Sequence, residues 1–120
     1  MGTMRTIEDN KLIAEFLGYK PKTKKDIGAT LNQYVYEWYL KDTNIYYING
    51  DYHSEDYLLF HTDWNWLIPA VTKCKERQFF GSNSLITRLN NALVQADIEL
   101  VYEQVIEFIN YYNKQDENNN

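Results

Sequence analysis

Apolar residues recur every three or four positions in four stretches of the chain, which is the spacing of the buried face of a helix. The first stretch lies near the N-terminus and predicts a helix over residues 7–17. Thr6 and Asp9 have the spacing of a capping box at its start, and Gly18 supplies a permissive residue at its end. The sequence therefore predicts one helix here with both ends capped.

The other three helical stretches follow one another in the second half of the chain. Asp63 or Asn65 can cap the first of these helices. Pro69 should bend it, because proline lacks the N–H of a helical hydrogen bond. A shorter helix is predicted over residues 85–96. Asp97 then precedes the clearest amphipathic pattern in the chain, which predicts a long last helix.

Between the first two helices, aromatic and β-branched residues alternate with a period of two, as in strands. The pattern predicts strands over residues 32–40, 45–48 and 51–53, and Asn49-Gly50 is a typical hairpin turn between the last two. Residues 56–61 predict a further strand, either separate or continuing after a bulge. An antiparallel meander of three to four strands results.

Together these elements predict an α+β fold, in which a three- to four-stranded antiparallel meander packs with three to four helices. The chain has 120 residues, 44% of them hydrophobic, which suits a single compact domain with one core. We expect this domain to span residues 1–113 and the polar segment 114–120 to be disordered. The pattern leaves residues 78–84 open between a short strand and an anchored loop.

Composition excludes several classes of function. The net charge of -5 disfavours nonspecific nucleic-acid binding, and no apolar run is long enough to span a bilayer. Cys74 is the only cysteine, so an internal disulfide and a cysteine-based metal framework are both ruled out. Phosphate-binding glycine motifs and zinc-finger spacings are absent from the sequence. We therefore expect a cytoplasmic protein that needs no cofactor.

Potential metal ligands occur together in one part of the sequence. They are His53, Glu55, Asp56, His61 and Asp63. Two imidazoles and a carboxylate can build a catalytic metal site, but polar residues at strand ends account for the cluster as well. His61 and Asp63 could also act as a base and its orienting carboxylate. Cys74 is the candidate nucleophile, although its place on an apolar helix face is typical of a packing residue.

Aromatic residues make up 16% of the chain and are concentrated between Tyr34 and Trp66. Their rings can stack a base or sugar, anchor a protein partner, or fill the core. For a nucleotide-like ligand, the predicted stacking residues are Tyr36, Trp38, Tyr46 and Trp64, with His61 and Trp66 at the edge of the site. The predicted phosphate contacts are Lys22, Lys24, Lys25 and Arg88. A solvated loop is the more common explanation of the three lysines.

Three blocks of sequence, residues 10–19, 60–69 and 98–113, together resemble a group of small, mostly uncharacterised proteins of bacteriophages, prophages and Bacteroidetes-type genomes. The shared pattern is N-K-x-I-A-E-F-x-G, then Y-H-x-x-W-x-W-L-M-P-V-V, then I-E-x-V-Y-x-x-V-V-E-F-I-x-W-Y-N. The chain departs from it with Phe60 for Tyr, Ile68 for Met and Tyr111 for Trp. The resemblance implies a phage α-β-α sandwich-like domain and no particular activity.

From this context we expect a noncatalytic phage accessory protein, a counter-defence inhibitor that sequesters a small nucleotide-like signal of the host. One alternative is a protein–protein inhibitor that blocks a host defence enzyme through an acidic or aromatic face. A second alternative is a small metal-dependent hydrolase based on His53, His61 and Asp63. The surplus of aromatic residues also favours a homo-oligomer, because association would cover exposed rings.

Overall fold

The computed structural model of the chain describes residues 4–22 and 44–118. These residues divide into two compact units, with the boundary between Leu58 and Leu59. They form four α-helices, one antiparallel strand pair and one short 3₁₀ helix, which confirms the α+β class. The elements in chain order are α1 (Met4–Phe16), β1 (Ile45–Ile48), β2 (Asp51–Ser54), the 3₁₀ helix (Glu55–Tyr57), α2 (Trp64–Glu76), α3 (Asn83–Val94) and α4 (Ile98–Asn118).

In the first unit, α1 starts before the predicted residue 7, so Thr6 lies inside the helix. The predicted capping box is therefore wrong. The predicted C-terminus is confirmed, because Gly18 adopts a φ of 93° and its N–H donates to the Glu15 carbonyl at 3.0 Å. The Tyr19 N–H donates to the Ala14 carbonyl, also at 3.0 Å. These two bonds satisfy the last carbonyls of the helix in a Schellman motif.

The hairpin of the first unit also forms as predicted. β1 and β2 pair in antiparallel register with Ile48 opposite Asp51, and Asn49 and Gly50 have φ values of 55° and 83°, as a type I′ turn requires. On the other side of β1, Lys22 and Ile45 exchange backbone hydrogen bonds of 2.7 and 2.9 Å. The described residues therefore show two paired strands and one isolated bridge. The strand predicted over 32–40 lies outside the described residues.

The strand predicted over residues 56–61 is wrong. The segment instead completes the 3₁₀ helix and then turns at residues 60–62. The alternation that predicted a strand is real, because Leu58 and Phe60 are buried and Leu59 is exposed. Within residues 4–22 and 44–118, however, no strand pairs with this segment, and the Leu58 carbonyl accepts a hydrogen bond from the Asn10 side-chain amide at 3.0 Å. The Leu59 carbonyl accepts from the Asp63 N–H at 3.0 Å, within the turn that leads to α2.

The second unit is built from α2, α3 and α4, with α4 packed against both other helices. Asp63 caps α2 as predicted, since its carboxylate accepts from the Asn65 N–H at 2.8 Å, and α2 continues through Pro69. Asp97 caps α4 by accepting from the Glu99 N–H at 3.0 Å. The buried residues of α4 include Val101, Val105, Phe108 and Ile109.

Two predicted boundaries differ from the structure in the second unit. Residues 78–82 form an anchored loop between helices, which resolves the alternative left open by the sequence, and α3 begins at Asn83. α4 continues past Asn113, the predicted end of the folded domain, to Asn118. The single domain over residues 1–113 stays a prediction.

Candidate functional site

Phe80 is the most exposed large apolar side chain of the described residues, with a relative exposure of 102%. It lies in the turn between α2 and α3. The Ser82 N–H donates to the Phe79 carbonyl at 2.9 Å, and the Phe79 N–H donates to the Ser82 hydroxyl at 3.0 Å. Gly81 adopts a φ of 93°, as the third residue of a type II turn must. The backbone is thus clamped on both sides of a ring that contacts solvent.

Phe79, the preceding residue, points the other way and fixes this turn to α4. Its ring centroid lies 5.6 Å from that of Phe108 and 6.4 Å from that of Tyr112. The latter two rings are stacked, with planes 16° apart. Ser82 is fully buried at the base of the turn. We call Phe79, Phe80, Gly81 and Ser82 the Phe80 turn.

Basic residues precede the Phe80 turn at the C-terminal end of α2. Lys75 and Arg77 are exposed, and neither forms an ion pair with any other described residue. Lys73 is half-buried, and Glu76 is the one carboxylate of the segment 73–77. Cations in the last turn of a helix interact favourably with the negative end of its macrodipole, which is one physical reason for their presence. Although the chain is acidic, the segment 73–77 that leads into the Phe80 turn therefore has a net positive charge.

Other apolar side chains of the second unit are partly exposed at separate places. Val94, near the end of α3, has 85% exposure, and Leu59, Ile68 and Tyr111 are exposed to lesser degrees. Lys114 lies over the Tyr111 ring, 5.5 Å from its centroid. Single exposed apolar residues are normal on protein surfaces. Phe80 differs from them because its side chain is fully exposed while two hydrogen bonds and the packing of Phe79 fix a turn, and not a helix, around it.

The predicted ligand-binding aromatics do not form one exposed platform in the described residues. Tyr46 is fully buried on β1, and burial raises the pKa of its hydroxyl to about 12. Trp66 is 7% exposed and meets Phe60 edge-on at 5.1 Å, so it is a core residue instead of the expected edge of a site. Trp64, a predicted stacking residue, is half-buried. Tyr36 and Trp38 lie outside the described residues.

The predicted phosphate contacts that the structure describes belong to different units. Lys22 is exposed in the first unit, where its backbone bridges to Ile45. Arg88 lies in the second unit, and its guanidinium donates to the Glu107 carboxylate at 2.9 Å. Lys24 and Lys25 lie outside the described residues. The nucleotide site drawn from the sequence stays a prediction.

A polar cluster in the first unit was not expected from the sequence. The Lys11 ammonium lies 3.0 Å from the Glu55 carboxylate, and this hydrogen bond is the main cause that raises the pKa of Lys11. The Tyr46 hydroxyl is buried and has no hydrogen-bond partner among the described residues. The ion pair joins α1 to the 3₁₀ helix, which is a structural role.

The groups considered for catalysis lie in unfavourable surroundings. Cys74 is fully buried in α2, and burial raises the pKa of its thiol to about 12, so almost no thiolate exists at neutral pH. Among the described residues, no three side chains of His, Cys, Asp or Glu converge to hold a metal ion. The predicted cluster of His53, Glu55, Asp56, His61 and Asp63 does not assemble there.

Both histidines of the chain lie within the described residues and favour their neutral forms. Burial lowers the pKa of His53 on β2 and that of His61, whose ring centroid is 6.0 Å from that of Tyr102. Each is partly exposed and each has partners. The lowered pKa values predict a stability that depends on pH, and they do not require a catalytic role.

Sequence reasoning missed Phe80 as a candidate contact residue. The signal was the pair Phe79-Phe80 followed by Gly81 between two helical patterns, since a tight turn can direct only one of two adjacent rings inward. In the described part of the chain, no helix combines the length and apolar character needed to cross a membrane. Searches of protein-family models, curated proteins and solved structures find no match to this chain.

Proposed function

We propose that this chain is a noncatalytic binding protein whose partner is another protein, and that the contact surface of the second unit includes the Phe80 turn. The observation that carries the proposal is the full exposure of Phe80 on a backbone that is already clamped. Aromatic residues contribute much of the binding energy of protein interfaces, and a turn whose backbone is fixed before binding loses little backbone entropy on association.

The burial of an exposed phenylalanine gives a sense of scale. Removing such a side chain from water contributes about 1.5–3 kcal/mol, which is roughly a tenfold to hundredfold gain in affinity. Phe80 can contribute all of this on binding, because folding removes none of its surface from water. A side chain that already lies in the core, such as Trp66, has no comparable contribution to make.

The resemblance to phage and prophage proteins suggests what the partner is. A host defence enzyme would be inhibited if the chain covered its active site or blocked its assembly, and this corresponds to the protein–protein form of a counter-defence inhibitor. We place this form ahead of nucleotide sequestration because Tyr46 and Trp66 are buried. The metal-dependent hydrolase ranks last, since the ligands proposed for it do not converge within the described residues.

The experiment is a pull-down from bacterial lysate with the immobilised chain, followed by purification of the retained protein and titration of the pair by calorimetry. We expect a saturable complex of defined stoichiometry. If no purified protein reproduces the complex, the proposal fails. If the chain instead gains thermal stability from cyclic or ADP-ribose-derived nucleotides and binds no protein, nucleotide sequestration is the correct form.

A further inference from the structure

The Phe80 turn combines an exposed ring with nearby positive charge, and this combination restricts the partner's surface. Three peptide links separate Arg77 from Phe80, so their Cα atoms are at most about 11 Å apart. Lys75 precedes Arg77 by two residues, so its Cα atom is at most about 19 Å from that of Phe80 by the same measure. A standard interface buries about 800 Å² per partner, which is a patch roughly 30 Å across. The two cations and the ring therefore fit within one footprint.

From these observations we infer that the partner presents an apolar pocket bordered by carboxylates, into which the Phe80 ring inserts while Lys75 and Arg77 meet the acidic rim. The inference rests on the proposed function and adds the chemistry of the partner. Both cations are exposed and form no ion pair with a described residue, so they are available to a partner. Charge complementarity of this kind accelerates encounter and sets orientation.

The charge of the segment that leads into the Phe80 turn is opposite in sign to the net charge of the chain. A chain with a charge of -5 suggests a basic partner, but the segment 73–77 carries three cations and one carboxylate. Screening limits the influence of distant charges to about 8–10 Å at physiological salt. The charges close to the Phe80 ring, and not the net charge of the chain, therefore decide the charge of the partner surface around the pocket.

An anionic membrane is a poorer fit than a protein pocket. Basic segments that bind acidic lipids typically carry about four to eight Lys or Arg residues, more than the segment 73–77 contains. The acidic chain as a whole is repelled by a negative surface. A pocket, by contrast, can enclose one ring on all sides.

The test begins with the full chain carrying a photoreactive benzoylphenylalanine in place of Phe80, irradiated in bacterial lysate. A second chain carries the same group in place of Val94, which is also apolar and 85% exposed. The protein crosslinked from position 80 is purified and titrated with the wild type, with Phe80→Ala, with Lys75→Glu/Arg77→Glu, and with two matched controls. The controls are Val94→Ala and Lys20→Glu, which alter an exposed apolar residue and an exposed lysine elsewhere.

We expect Phe80→Ala to weaken binding at least about tenfold, as the loss of a central aromatic anchor does. The double charge reversal should weaken binding about tenfold at low salt and within about twofold at 0.5 M salt, because screening removes the rim contribution. This salt dependence distinguishes a contact with the partner from a purely structural role at the end of α2. Both control variants should bind as the wild type does.

A complex that Phe80→Ala weakens but that Lys75→Glu/Arg77→Glu leaves unchanged at low salt would overturn the inference while the proposed function survives. Other outcomes would overturn both the inference and the place of the Phe80 turn in the proposed function. One is a complex that Phe80→Ala leaves unchanged, or crosslinks that arise from position 94 alone. Another is light scattering that shows a dimer dissociated by Phe80→Ala, which would make the occupant a second copy of this chain. Binding to phosphatidylserine vesicles that Phe80→Ala abolishes would make it a membrane. If no protein binds the wild type, the inference and the proposed function fail together.

Discussion

Phe79 and Phe80 are adjacent and chemically identical, yet the structure predicts opposite consequences for their truncation. Truncating a fully buried phenylalanine to alanine costs about 3–5 kcal/mol. Phe79 is half-buried and packs against Phe108 and Tyr112, so we expect Phe79→Ala to lower the free energy of unfolding by about 2–3 kcal/mol. Phe80 loses no exposed surface on folding, so Phe80→Ala should change the free energy of unfolding by less than about 0.5 kcal/mol.

The assay is urea unfolding followed by far-ultraviolet circular dichroism, which reports helix content, and three of the four described helices belong to the second unit. Phe79→Ala should lower the urea midpoint without changing the slope, and Phe80→Ala should superimpose on the wild type. Ser82→Ala is an internal check, because it removes the hydroxyl that accepts from the Phe79 N–H and should cost about 1–2 kcal/mol. Equal losses for the two phenylalanine variants, or no loss for Phe79→Ala, would refute the orientation of this turn.

Three further predictions concern individual side chains. Because burial lowers the pKa values of His53 and His61 below 6.5, the unfolded chain takes up protons first as the pH falls. The two histidines should therefore cost no stability above pH 6.5, and stability should decline as the pH falls from 6.5 to the lowered pKa values of the folded chain. A melting temperature that is flat across this window, or that stays equally pH-dependent in His53→Gln/His61→Gln, would contradict this. Cys74 should resist a disulfide-exchange reagent at pH 8 until urea unfolds the chain, and rapid native labelling would show that the thiol is accessible. Asp97→Ala should cost about 1 kcal/mol in urea unfolding through loss of the α4 cap, whereas Asp97→Asn should retain most of it.

The features that the sequence predicted well depend on local interactions. Asn49-Gly50 specifies a hairpin because both residues tolerate positive φ, and the neighbouring strands formed where the alternation placed them. Asp63 and Asp97 cap the helices that follow because a short carboxylate reaches N–H groups two or three residues ahead. None of these features requires knowledge of a distant part of the chain.

The errors arose where a distant group competes with a local pattern. Residues 56–61 alternate in burial like a strand, but the Leu58 carbonyl bonds to Asn10, 48 residues away, and none of the described strands pairs with the segment. Periodicity reports which side chains are buried, and a ladder also requires a partner strand that periodicity does not reveal. Thr6 also matched a capping pattern, but α1 begins at Met4, so Thr6 lies inside the helix and not at its start.

The candidate site was less predictable than the fold, since composition does not distinguish an aromatic ring in the core from one on the surface. The richest aromatic segment led to Tyr46 and Trp66, both of which are buried. The most exposed ring of the described residues, Phe80, belongs to the adjacent pair Phe79-Phe80, in a segment without a helical or strand-like pattern that would tell which ring is buried. Exposure depends on how α4 packs against the turn, because Phe108 and Tyr112 receive one ring of the pair only.

The sequence by itself determined the α+β class, the hairpin, the helix caps and the unusual abundance of aromatic residues, because each depends on a few neighbouring residues or on composition alone. Tertiary structure decided which rings are buried, which carbonyls are satisfied from a distance, and where positive charge stands beside an exposed phenylalanine. The physical reason is that burial and hydrogen bonding between remote segments depend on packing, and packing joins residues that are far apart in the chain.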